Sequence, residues 1–98
     1  MAVHHIVVFR WKAGTTEAQV AAIEAELATI PALVPSIRTY HYGADLELGA
    51  GRWDFGLVAG FDDADGWRAY DEHPDHDRVR TDVLGPHVAD RAAVQIGS

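Results

Sequence analysis

The 98-residue sequence contains no cysteine, which excludes disulfides, thiolate nucleophiles and cysteine-held metals. Lysine is almost as scarce: Lys12 stands alone, and Lys plus Arg number 8 against 15 Asp and Glu, for a formal net charge of -7. Without a cluster of basic residues, a phosphate-backbone binder is excluded, and no nucleic-acid partner is expected. No apolar run approaches the roughly 20 residues that cross a bilayer, and Met1-Ala-Val-His-His5 lacks the layout of a signal peptide. These absences predict a cytoplasmic protein with no membrane partner.

What is present describes one ordinary domain over residues 1–98, close to the modal domain size of about 100–150 residues. With 48% hydrophobic residues a core can form, but so small a domain leaves much surface exposed and gains by dimerising. The unusual number is six histidines. The acid is also uneven, because residues 62–82 hold eight Asp or Glu against three Arg.

His5 to Trp11 is rich in β-branched and aromatic residues and reads as a strand, with His5, Val7, Phe9 and Trp11 on one face. Its other face, Ile6, Val8 and Arg10, is also largely apolar, so both faces should be covered. Thr16-Glu-Ala-Gln19 has capping-box spacing, and Val20, Ile23, Leu27 and Ile30 follow at helical steps until Pro31 ends the helix. A second strand runs from Ile37 to Tyr42, a loop from Asp45 to Gly51, and a third strand from Arg52 to Phe61. Gly56 and Gly60 inside that strand imply a close approach by a facing side chain or a partner. Asp62, Asp63 and Asp65 supply N-cap carboxylates to a second helix bearing Trp67 and Tyr70, which Pro74 interrupts. A short helical piece resumes with His76 and Val79, Gly85-Pro86 stops it, and Val88 to Ile96 is the last strand.

The order βαββαβ predicts an α+β, ferredoxin-like subunit: a four-stranded antiparallel sheet with helices on one face. The doubly apolar first strand predicts that the bare face meets a second copy, two sheets closing into a dimeric α+β barrel.

Tyr70-Asp-Glu-His73-Pro-Asp-His76 is the strongest local feature. Pro74 breaks the helical register, which should project one histidine inward. Histidine titrates closest to neutrality and suits acid–base work, and a tyrosine hydroxyl can donate to a carbonyl oxygen gaining charge. From spacing alone the structural alternative stands beside this one: a His-Pro pair that caps helix ends and a Tyr70 ring that packs in the core. His73 and His76 beside Asp75 and Asp77 also suggest a divalent metal, but further ligands at tight spacing are missing, so no metal is expected. The surrounding carboxylates favour a protonated imidazole, so a base role requires the inward histidine to be shielded from them.

Taken together, His5 opening the first strand, Thr16-Glu-Ala-Gln19 and, above all, Tyr70-x-x-His73-Pro-x-His76 resemble the stress-responsive A/B barrel (Dabb) family over nearly the whole chain. Within it, the chain is similar to plant polyketide cyclases. That resemblance implies a homodimer acting without a cofactor on a polyketide-like or aromatic small molecule. It assigns His76 as the base of an intramolecular aldol closure, Tyr70 as the partner of the carbonyl or enolate oxygen, and His5 as a third catalytic residue. It also implies that His73, Val7, Phe9, Ile23 and Leu27 contact the substrate. The first helix carries Ile23, Glu24 and Leu27 where the cyclases carry pocket-shaping aromatics, which implies a different pocket and substrate. The alternatives are a non-catalytic stress-response or small-molecule-binding dimer and a cofactor-independent monooxygenase.

Overall fold

Alternating apolar residues form the strands of the computed structural model, which describes Met1–Ser98. In strand β1 (Val3–Trp11), His5, Val7 and Phe9 are buried under the helices. Strands β2 (Ile37–Ala44), β3 (Phe55–Phe61) and β4 (Val88–Gly97) complete one antiparallel sheet in the order β2-β3-β1-β4. This is the ferredoxin-like α+β arrangement.

Helix α1 (Glu17–Leu27) begins at the expected capping box: Thr16 Oγ1 accepts from the Gln19 amide, and Gln19 Oε1 accepts from the Thr16 amide. Pro31 does not end this helix. It opens a separate short helix, α2 (Ile30–Leu33), because a proline lacks only an N–H that a first turn leaves unbonded. Helix α3 (Ala64–Asp71) is capped by Asp63, whose carboxylate accepts from the Gly66 amide. Helix α4 (Pro74–Arg78) follows, and the chain then widens into a π-helical segment, Val79–Leu84. No helix is long and apolar enough to cross a membrane.

Four strand boundaries differ from the alternation pattern: β1 starts at Val3 rather than His5, β4 runs on to Gly97 rather than Ile96, and β2 and β3 shift as well. The third strand starts at Phe55 rather than Arg52, since Asp54 is drawn aside to bond the Trp11 amide and the Arg10 guanidinium lies 3.9 Å over Trp53. The second strand continues past Gly43 to Ala44. Of the two β3 glycines, Gly60 meets a close approach from within the chain, since a Cβ there would run into the Thr39 hydroxyl of β2, whereas at Gly56 a Cβ would make only ordinary contacts with β1.

The core lies between sheet and helices. Ile30 and Ala59 are fully enclosed, and Phe55, Ile23, Val34 and Val79 nearly so. Burial of each large side chain contributes roughly 1.5–3 kcal/mol. The opposite sheet face is different. Val58, Val94 and Ile96 are 39%, 51% and 49% exposed, and the register sets them beside Ile6, Val8 and His41 on a continuous uncovered apolar surface.

Candidate active site

Between the sheet and the segment from Tyr70 to Gly85 lies a cavity of about 240 Å³. Two thirds of its wall residues are apolar, Val7, Phe9, Leu27 and Leu57 among them. Polar groups enter it from different elements: His5 from β1, Tyr40 from β2, Tyr70 from α3 and His76 from α4.

His76 reaches the cavity because of the break at Pro74. The chain turns after α3 and restarts, so the His76 ring lies against Tyr70 with centroids 4.0 Å apart. His5 stands on the other side of Tyr70 at 5.7 Å. The Nδ1 of His76 lies 3.4 Å from the Asp71 carbonyl oxygen. A carbonyl only accepts, so Nδ1 carries the proton and Nε2 keeps its lone pair. For His5, Nε2 of Gln95 donates to Nδ1 at 2.8 Å, which puts the proton on its Nε2.

Burial sets the charge states. It lowers the pKa of His76 below the usual 6.5, assisted by the Arg80 guanidinium and opposed by the Asp71 hydrogen bond and the Asp71 and Asp77 carboxylates. The shielding that a base role requires comes from Arg80, which bonds Asp71 at 3.2 Å and Asp77 at 2.8 Å. His5 is pushed down to about 4 by burial, with Arg91 and His76 acting in the same direction. Burial raises the Tyr70 phenol to about 12, so it stays a proton donor at neutral pH. Burial raises Tyr40 as well.

The site residues named from the sequence divide. His5, Tyr70 and His76 come together, and Val7, Phe9 and Leu27 join them in the cavity wall. His73 and Ile23 do not. The Nδ1 of His73 accepts from the Asp75 amide at 3.2 Å and caps α4, and Ile23 packs in the core behind the wall. No three His, Asp or Glu side chains converge as metal ligands. Nine of the 15 wall residues were not named as site residues from the sequence, the polar Tyr40, Arg80 and Arg91 among them. The alternation of β2 carried a signal for Tyr40, because the register puts it opposite Ala59 on the helix-facing side.

Comparison with known proteins agrees with this architecture. The solved dimeric ferredoxin-like protein of unknown function from Thermobifida fusca is 43% identical, with a TM-score of 0.91 over 100% of this chain and 92% of that one. Another such dimeric protein, from Bacteroides fragilis, is 24% identical, with a TM-score of 0.82 over 99% and 96% of the two chains. A hydroxynitrile lyase from Passiflora edulis shares the fold at 17% identity, with a TM-score of 0.84 over 97% and 91%. No curated protein matches the sequence. Residues 3–96 match the Dabb family, the stress responsive A/B barrel domain, and the chain belongs to that family.

Proposed function

We propose that the protein is a cofactor-free acid–base enzyme acting on a small carbonyl compound, with aldol-type closure of a short poly-β-ketone as its reaction. One observation carries this reading: a neutral His76 with a free Nε2 lies against a protonated Tyr70 in the wall of one apolar cavity. The cavity volume, about 240 Å³, is below the roughly 300–1,000 Å³ of drug-sized sites, which favours a compact substrate.

In the proposed reaction, Nε2 of His76 takes a proton from a carbon flanked by two carbonyls. The Tyr70 hydroxyl, which makes no side-chain hydrogen bond within the chain, donates to the enolate oxygen. The enolate carbon then attacks a distal carbonyl of the same molecule, forming the C–C bond. The resulting alkoxide recovers the proton from His76, and loss of water gives the conjugated ring. His5 acts as a neutral neighbour, held by Gln95, that keeps Tyr70 and His76 in place.

The working unit is a homodimer joined through the uncovered sheet face. The exposed Val58, Val94 and Ile96 support this, as does the dimeric state of the 43%-identical relative.

The test is turnover of linear tri- and tetra-β-keto acids, with the cyclic products followed by chromatography and mass spectrometry. Tyr70→Phe and His76→Ala are each expected to slow cyclisation by about 100-fold or more. Unchanged rates in folded variants, or no acceleration by the wild type, would leave the second reading: a binding dimer in which the histidines are structural. The His73 cap is the observation that favours that reading.

A further inference from the structure

One cation at the cavity is left uncommitted by the fold. Arg38, Arg52, Arg68, Arg78 and Arg80 each pair with a carboxylate, and Arg10 lies over the Trp53 ring. Arg91 alone among the arginines has neither partner, in a chain with 15 acids against 8 bases. Sheet register fixes its position. Arg91 pairs with Phe9 and so shares the helix-facing side of β4 with Ala93 and Gln95. Its exposed side chain borders the cavity that holds His5 and Tyr70, close enough for its charge to act on both rings.

A ligand anion approaching this domain meets a net charge of -7, so it needs a local counter-charge to settle. Arg80 cannot supply one, because Asp71 and Asp77 already occupy its guanidinium. We propose that Arg91 sets the substrate class of this cavity, binding a carboxylate at the mouth while the carbonyl-bearing body lies against Tyr70 and His76. The planar guanidinium fork matches a carboxylate through two parallel hydrogen bonds. A phosphate dianion fits less well, since it would meet one unpaired guanidinium on a strongly acidic domain. The substrate is therefore a free acid, not a neutral ester. This assignment builds on the cavity being the ligand site, but it does not need His76 to be a base.

Benzoate, its neutral isostere benzamide, and phenylphosphonate serve as unreactive probes, with binding read by NMR chemical-shift titration at constant ionic strength. The wild type is expected to bind benzoate about 10-fold or more tightly than benzamide. Arg91→Gln should erase that preference and leave benzamide affinity and Tm unchanged. Arg78→Gln removes the same charge from the outer surface and should leave the preference intact. Equal affinities in the wild type, a preference that survives Arg91→Gln, or no saturable shift from any probe overturns the assignment. Tighter binding of phenylphosphonate than of benzoate overturns the choice of a carboxylate. His76→Ala should keep the benzoate preference, so failure of the base assignment and failure of the anion assignment appear in different variants.

Discussion

Lowering the pH should unfold the protein partly through His5, a residue whose titration the fold suppresses. His5 is 5% exposed, and burial holds its imidazole at about 4 against 6.5 when free. Between those values the unfolded chain binds a proton that the folded chain refuses. Stability is therefore complete above about pH 6.5 and is lost as the pH falls toward 4, below which both states are protonated and the loss stops growing. At 1.36 kcal/mol per pH unit, the loss attributable to His5 reaches about 3 kcal/mol at the acid end. That is a large part of the 5–15 kcal/mol that typically holds a domain together. His76 shifts in the same direction and adds to the total. The comparison variant is His5→Asn, whose Oδ1 can still accept from Gln95 but does not titrate. Urea unfolding of both proteins at one fixed concentration, from pH 7.5 to 4, should show the wild type losing stability faster by about 3 kcal/mol. Parallel loss in the two proteins would refute the argument that burial keeps His5 neutral.

Three further outcomes follow from single contacts. Thr16→Ala removes the hydroxyl that accepts from the Gln19 amide, leaves the residue-16 amide free to donate to Gln19 Oε1, and should cost about 1 kcal/mol in denaturant unfolding, with the cavity unaffected. Ile30→Ala opens a void at a fully enclosed position and should cost about 2–5 kcal/mol in the same assay. Val94→Glu places a charge in the uncovered apolar face and should shift sedimentation equilibrium from dimer toward monomer, whereas Glu24→Gln on α1 should not.

Much of the fold was legible because strand alternation and helical spacing are local signals. The face containing His5, Val7 and Phe9 is buried under the helices, and the capping box at Thr16 starts α1 where its spacing places it. Pro31 misled for a physical reason: the same missing N–H that stops one helix lets another begin. Arg52 and Trp53 alternate like strand residues, yet the Asp54 bond and the Arg10–Trp53 stack pull them out of the sheet. The site was legible where the break at Pro74 made two histidines unequal, one capping and one reaching the cavity. Spacing could not say which was which, because that depends on where α4 restarts against the sheet. Arg80 and Arg91 were invisible for a related reason. Whether an arginine is neutralised depends on which carboxylates the fold brings to it, and Arg80 finds Asp71 nine residues away across a helix break.

His76 is proposed to work as a neutral base beside Tyr70, and a pH–rate profile tests this most directly. Turnover of a linear poly-β-keto acid should hold level around neutrality and fall on the acid side with an apparent pKa below 6.5, the direction in which burial moves His76. In His76→Ala the rate should drop by about 100-fold or more and the acid limb should vanish. An acid limb that persists unchanged in His76→Ala would contradict the account, because the titrating base would then be another group.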